Sequence, residues 1–301
     1  MTITSLLVVI GGPTASGKTQ AAARIAQHFG TEVISADSRQ FYRAMRVGTA
    51  RPTEAELLGV KHHFLGHLEL EQAWSAGQFA REAEPVLQTI LATHGIAVLV
   101  GGSGLYIDAL TKGLDPLPLS DPRLRERLQA RHKQHGLASL LKELEMHDPM
   151  TFARIDRNNP HRVIRALEVC LITGKPFSGQ HTGAKDRDDL KLVRIAMDLP
   201  REELYRRIDQ RVDRMVADGL VEEARSLLPF RDLNALRTVG YRELFDHFDD
   251  QFTLDEAITL IKQHTRNYAK RQMTWLRRDA GWAWLAPTDH ARHIAHAEAS
   301  R

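Results

Sequence analysis

The sequence predicts an α/β fold: a parallel sheet flanked by helices, with an all-helical domain inserted into it. Three observations predict it. The apolar run Leu6–Ile10 leads directly into GPTASGKT at residues 12–19, a complete G-x-x-x-x-G-K-[ST] phosphate-binding loop, and a helix-like AAARIAQHF follows. Apolar runs and amphipathic stretches then alternate through the first hundred residues, the pattern of βαβ units and hence of a parallel sheet. From 121 to 175, by contrast, helical patterns follow one another with no convincing strand. The architecture is therefore P-loop NTPase-like, with a catalytic core from 1–114 and 191–301 and a helical insertion at 115–190.

The elements follow in order. The strand at 6–10 is apolar throughout, as a parallel strand buried on both faces must be. In the loop, glycines permit the positive φ that turns successive N–H groups inward at phosphate oxygens. Lys18 then reaches the terminal phosphates, the Thr19 hydroxyl can hold Mg²⁺, and the N-terminus of the helix at 18–29 favours an anion. Gly12, Pro13, Thr14, Ala15, Ser16, Gly17, Lys18 and Thr19 thus form a candidate di- or triphosphate site, with the Thr14 and Ser16 hydroxyls as further donors. A strand at 32–36, a helix at about 78–93 and a strand at 96–100 continue the series. LDPLPLSDP at 114–122 is a proline-punctuated connector, and KLVRIAMDL at 191–199 alternates as a strand returning to the sheet. Between them, the polar stretch 178–190 reads as a mobile loop; long helices are expected at 201–228 and 254–278.

Composition limits the function classes. The 301 residues, 43% of them hydrophobic, are ample for a folded core, and a single cysteine excludes a disulfide framework or a Cys-rich zinc site. Cys170 lies in the apolar run Val169–Ile172 and reads as a buried small residue. The apolar N-terminal stretch is about half a membrane span and lacks a basic start, so it reads as a buried strand and the protein as cytoplasmic, with no membrane partner. Net charge is +3, so any anionic partner must be met by local charge clusters. His62-His63 is the only adjacent histidine pair; with no carboxylate at ligand spacing it reads as structural or surface rather than metal-binding.

A nucleotide-hydrolysing or kinase site normally places an acid at the end of a neighbouring strand to hold Mg²⁺. The strand at 97–100 runs instead into Gly101-Gly102-Ser103-Gly104, which reads either as a second backbone approach to ligand or as a plain tight turn. The strand at 32–36 leads straight into Asp37, at the carboxyl end of a parallel strand, where α/β sheets put their ligands. Asp37 can be a Mg²⁺ anchor, a general base or the cap of a following helix.

Six segments together resemble the tRNA dimethylallyltransferase family: GPTASGKT, DSRQFYRAMRVGTARPT at 37–53, VGGSGLYIDAL at 100–110, HRVIRALEV at 161–169, RTVGYREL at 237–244 and KRQMTWLRR at 270–278. Order and spacing match over nearly the whole chain; Ser103 stands where the family more often carries Thr, and no C-terminal zinc finger follows, which implies a bacterial-type enzyme; a monomer is expected because so much of the surface is committed to RNA. The resemblance implies transfer of a dimethylallyl group from dimethylallyl diphosphate to the exocyclic amine of the adenosine after the anticodon, with the phosphate loop holding a diphosphate leaving group and Mg²⁺ rather than ATP. It implies Asp37 as base, with Lys18, Thr19 and Arg237 as the other catalytic residues. It further implies that Ser38, Arg39 and Gln40 lie against the nucleotide and that Ser103 and Arg125 line its path. The remaining implied tRNA contacts are His161, Arg162, Val163, Ile164 and Arg165; Arg237, Thr238, Val239, Gly240, Tyr241 and Arg242; and Lys270, Arg271, Gln272, Met273, Thr274, Trp275, Leu276 and Arg277.

Charge pattern supports an RNA partner independently. Residues 261–278 hold six Lys and Arg and no acid, with Lys262, Arg266, Lys270 and Arg277 within one helical face, while Tyr268, Trp275 and Ile261 read as core packing. Arg154, Arg157, Arg162 and Arg165 cluster beside Asn158, Asn159 and His161 in the insertion. A base in a folded anticodon loop must flip out to reach a buried diphosphate, and the anticodon stem-loop must be gripped from outside. The rivals are a kinase, a prenyltransferase of free adenine nucleotides and an RNA-binding nucleotide switch. The missing strand-end acid counts against the first, the basic insertion against the second, and the lack of a water-positioning acid against the third.

Overall fold

The computed structural model describes residues 5–115, 117–180 and 187–300; the centre of the loop expected at 178–190, the first four residues and Pro116 of the connector lie outside them. Six strands form one all-parallel sheet: β1 (Leu6–Gly11), β2 (Val33–Ser35), β3 (His62–His63), β4 (Ile96–Gly101), β5 (Lys191–Met197) and β6 (Trp282–Leu285), in the order β3-β2-β4-β1-β5-β6. β1 is held on both sides, Leu6 to Gly11 facing Ile96 to Gly101 on one and Lys191 to Ala196 on the other. Because side chains alternate between faces, Leu7 and Val9 join one core and Leu6, Val8 and Ile10 the other. That is why the strand reads as an unbroken apolar run.

Around the sheet lie α1 (Lys18–Phe29), α2 (Glu54–Leu57), α3 (Ala76–His94), α4 (Gly104–Thr111), α8 (Arg201–Ala217), α9 (Leu220–Leu227), α10 (Tyr241–Phe248), α11 (Leu254–Leu276) and α12 (His290–Glu298). The single helix expected over 201–228 is two, because Gly219 at φ 97° takes the left-handed conformation and opens α9. β3 and β6, of two and four residues, are too short to show a period in the sequence. Among the described residues no helix is long and apolar enough to cross a membrane.

The chain divides into two compact units, one from residues 1–111 with 187–301 and one from 112–186. The second contains α5 (Pro122–His147, kinked at Gly136), α6 (Pro149–Arg154) and α7 (Pro160–Thr173). All three begin with proline at the first helical position behind an Asp or Asn cap: Asp121, Asp148 and Asn159 each accept an N–H of the first turn. Leu128, Leu140, Leu144, Val163, Ile164, Leu167 and Cys170 form their shared core.

Candidate active site

The carboxyl ends of β1, β2 and β4 meet at the phosphate loop. Gly17 (φ 88°) and Ala15 (φ 63°) adopt left-handed backbone, and the Ser16 N–H bonds the Pro13 carbonyl at 3.3 Å. A Cβ at Gly12 would overlap Ser16 Oγ, so only glycine fits there. Ser16 is fully buried, and its Oγ has no hydrogen-bond partner among the described residues. An orphaned buried hydroxyl inside a loop of this shape is a donor awaiting an anion.

Lys18 opens α1, its Nζ 3.5 Å from the Pro13 carbonyl. Burial pulls its pKa from 10.5 down to about 8; the charge of Asp37 opposes that shift and the charge of Arg211 adds to it. Arg211 comes from α8 and reaches the loop, its Nη1 3.4 Å from Thr14 Oγ1. Its pKa is also lowered, chiefly by burial, against the attraction of Glu56 and Asp37. Two desolvated cations therefore face the loop.

Asp37 stands two residues beyond β2, where the Ala36 N–H bonds the Val100 carbonyl at 2.7 Å. No helix follows it. Its Oδ1 accepts the Arg39 N–H at 3.3 Å, closing a turn, so it caps that turn and leaves carboxylate capacity free. Ser103 Oγ accepts the Ser38 N–H and donates to Ser38 Oγ, both at 3.1 Å. Burial, reinforced by the Asp37 charge, raises the Tyr268 phenol to about 12; burial also raises Tyr106 to about 12. Both phenols stay protonated, as donors, across the neutral range.

The glycines of the 101–104 turn serve the chain itself. A Cβ would strike the Ala36 carbonyl at Gly101, the Gln272 amide at Gly102 and the Trp275 indole at Gly104. The turn also receives two side chains of α11. Gln272 accepts the Thr14 N–H at 2.9 Å and donates to the Gly102 carbonyl at 2.8 Å, and Trp275 Nε1 donates to Asp108 at 3.1 Å.

The other sequence candidates are distributed as follows. Arg39 bonds the carbonyls of Asn234 and Ala235, and Gln40 those of Thr49 and Ala50, so both brace neighbouring loops. Arg237 and Arg242 are exposed, Thr238 and Val239 partly buried, and Gly240 donates its N–H to Glu243. The guanidinium bonded to the phosphate loop is that of Arg211, not Arg237. Tyr241 is buried and donates to Glu223, whose carboxylate also accepts the N–H groups of Arg46, Val47 and Gly48. On α11, Lys270, Arg271 and Thr274 are exposed, as is Arg277 at its C-terminal cap; Met273 and Trp275 pack on the core, and Gln272 and Leu276 are buried. Tyr241, Gln272 and Leu276 therefore cannot present side chains to RNA from these positions. The acid-free stripe is also countered from outside its own helix: Lys262 pairs with Asp213 at 2.6 Å and Arg266 with Asp209 at 2.5 Å, both on α8.

In the second unit, His161 and Arg162 are exposed on the first turn of α7, while Val163 and Ile164 belong to its core and are removed from any RNA surface by packing. Arg125 and Arg165 converge on Glu168, whose side chain is fully buried, at 2.6 and 2.8 Å; Ser120 adds a bond at 2.6 Å.

Arg211 was the main omission of the sequence reading, and the pattern held a signal for it. Leu204, Ile208 and Val212 are the buried stripe of α8, and Arg211 falls beside them at i+7 from Leu204, a charge on an apolar face.

A phosphate loop on a parallel sheet, faced by two desolvated cations and a carboxylate, defines a P-loop α/β enzyme. The chain belongs to the IPP transferase family, whose model matches residues 40–279. It is 46% identical to the tRNA dimethylallyltransferase of Christiangramia forsetii, covering 97% of each chain, and 46% identical to that of Cytophaga hutchinsonii, covering 95% and 94%. It superposes on the tRNA isopentenylpyrophosphate transferase of Bacillus halodurans with a TM-score of 0.71 at 36% identity, covering 98% of each. A eukaryotic dimethylallyltransferase acting on tRNA gives a TM-score of 0.81 at 25% identity, covering 98% of this chain and 77% of that one. It is thus a transferase, a tRNA-modifying prenyltransferase.

Proposed function

We propose that this enzyme transfers the dimethylallyl group of dimethylallyl diphosphate to the exocyclic N6 amine of the adenosine 3′ of the anticodon. The observation that carries the reading is that two desolvated cations, Lys18 and Arg211, stand at one phosphate loop within electrostatic reach of the Asp37 carboxylate. The allylic C–O bond breaks with its electron pair leaving on the diphosphate, and the N6 lone pair forms the new C–N bond. Loop N–H groups, Ser16 Oγ, Lys18 and Arg211 stabilise the departing charge, which is where such a reaction gains most. Asp37 accepts the N6 proton, which a weakly nucleophilic aromatic amine needs to lose.

The site fits Mg²⁺ in chemistry: its donors are oxygens, and a P-loop magnesium ion is held largely by phosphate and water. Thr19 would hold it, and when bound it neutralises diphosphate charge. Among the described residues no group of three or more His, Cys, Asp or Glu could hold a metal on its own, so the ligand must supply the remaining oxygens. The target base flips out of the anticodon loop to reach the site. The anticodon stem-loop is gripped by exposed cations, Lys270 and Arg271 on α11 with Arg277 at its C-terminal cap, and Arg162 with His161 on α7. The core and the helical insertion divide these tasks, and the enzyme works as a cytoplasmic monomer.

The test is mass spectrometry of nucleosides from unmodified tRNA incubated with the protein, Mg²⁺ and dimethylallyl diphosphate, with an ATP reaction in parallel. A five-carbon adduct on adenosine in the diphosphate reaction alone is the expected result. No adduct, with ATP turned over on a small acceptor, would make this a kinase site.

A further inference from the structure

We propose that Gln272 is a positioning residue that couples RNA binding on α11 to diphosphate binding at the phosphate loop. The inference rests on the functional reading above. Gln272 is buried between the two backbone segments that border the site: its Oε1 accepts the Thr14 N–H at 2.9 Å and its Nε2 donates to the Gly102 carbonyl at 2.8 Å. Both ends of the amide are used, so its orientation is fixed by the pair. The position is built for it, since a Cβ on Gly102 would occupy the place of Nε2. One turn further along, Trp275 fills the space above Gly104 and bonds Asp108, so α11 is fastened to the backbone just past β4 and again to α4.

The same turn of α11 presents Lys270 and Arg271 to solvent. One rigid helix therefore carries the cations that grip RNA phosphates on its outer face and the amide that holds the loop on its inner face. RNA that fixes α11 fixes Gln272, which sets the Thr14 backbone and hence the direction of the loop's N–H groups. The converse must hold to the same factor, because coupling between two binding events is reciprocal.

The experiment measures binding of inorganic diphosphate by calorimetry, with and without a saturating anticodon stem-loop RNA, for the full-length protein, Gln272→Met and Gly102→Ala. Methionine keeps the volume and removes both bonds; alanine displaces the amide and leaves Gln272 in the sequence. Wild type should bind diphosphate about tenfold more tightly with RNA present, within the usual range of such couplings. Both variants should bring that factor to within about twofold of one, while RNA affinity in the absence of diphosphate changes less than twofold. Gln272→Met should correspondingly raise KM for dimethylallyl diphosphate measured with saturating RNA. A wild-type protein that binds both ligands without coupling overturns the inference, even if neither variant folds, and so does coupling that survives in Gln272→Met. A wild-type protein that binds neither ligand overturns the functional reading itself, and the inference with it.

Discussion

Replacing Lys18 by Met should make the ligand-free protein more stable while disabling it. Burial lowers this ammonium from 10.5 to about 8, more than the nearby Asp37 carboxylate restores, so the charged form is disfavoured in the fold. At about 1.4 kcal/mol per pKa unit, keeping it charged at neutral pH costs the fold on the order of 3 kcal/mol, and relaxation and water entry reduce that. The sign follows from proton counting. Below pH 8 both folded and unfolded chains carry the proton and the whole penalty stands. Between pH 8 and 10.5 the folded chain has lost it and the unfolded chain has not, so wild-type stability rises with pH relative to the methionine variant. Urea denaturation at pH 7 and 9.5 should therefore show Lys18→Met ahead by about 2–3 kcal/mol at pH 7, with the lead falling by roughly 2 kcal/mol at pH 9.5. All other titrating groups are common to both proteins and cancel. Inorganic diphosphate should reverse the order by stabilising only the wild type. A variant less stable at pH 7, or a lead independent of pH, would refute the claim that Lys18 is held desolvated for a ligand.

Arg211→Gln should weaken diphosphate binding by about tenfold to a hundredfold, the usual worth of a charge-assisted hydrogen bond, without loss of stability; an unchanged calorimetric Kd would remove Arg211 from the site. Asp37→Ala should lower transfer by about 10²–10⁴-fold with tRNA affinity within a few-fold, and wild-type turnover would exclude it as base. Lys270→Ala with Arg271→Ala should weaken tRNA binding and lower the slope of log K against log salt by about one to two units. Lys262→Ala with Arg266→Ala should change that slope far less, because Asp213 and Asp209 already neutralise these residues; equal slopes would mean the ion pairs open on RNA. For Glu168, burial alone would raise the pKa, but bonds from Ser120 and Arg165 and the charge of Arg125 outweigh it and hold the carboxyl below its usual 4.5. Its stabilisation is therefore complete above pH 4.5 and lost as pH falls through the lower folded value; Glu168→Gln should cost about 2 kcal/mol near pH 7 and progressively less in acid, read by thermal melting across that range.

The parts of the fold that the sequence disclosed are those where local chemistry acts alone. The helix after the loop runs over 18–29 as expected because Gly17 and Gly30, both at positive φ, bound it by their own conformational freedom. In the second unit, where the sequence runs from one helical pattern to the next without a strand, Asp-Pro, Asp-Pro and Asn-Pro open the helices by local chemistry. β6 was not legible, because four residues acquire strand character only by pairing with Arg194–Met197 of β5, a contact that no local pattern encodes. The site divides the same way. GPTASGKT states its own geometry, whereas Arg211 lies nearly two hundred residues from Thr14 and is functional only because the fold returns α8 to the loop. Within residues 261–278 the same principle removes two cations from the stripe, since the acids that pair Lys262 and Arg266 stand on α8.

Lys18 and Arg211 together make the strongest physical argument for the ligand. Each is driven toward its neutral form by burial, and the carboxylate that attracts both is Asp37, with Glu56 also acting on Arg211. A stable fold gains nothing from two partly buried cations sharing so little opposing charge, since an underpaired buried charge is among the costliest arrangements a protein can hold. Beside them a buried hydroxyl, Ser16 Oγ, has no partner among the described residues and a glycine loop turns its backbone left-handed. Each feature is unfavourable in isolation, and all are relieved by one event, the arrival of an anion with more than one charge. The Asp37 carboxylate lies close enough to act on both cations, and in the proposed reaction it is the group that takes the proton. A site meant only to hold a polyanion would be better without the carboxylate; its presence there makes sense where a proton must leave as the anion does.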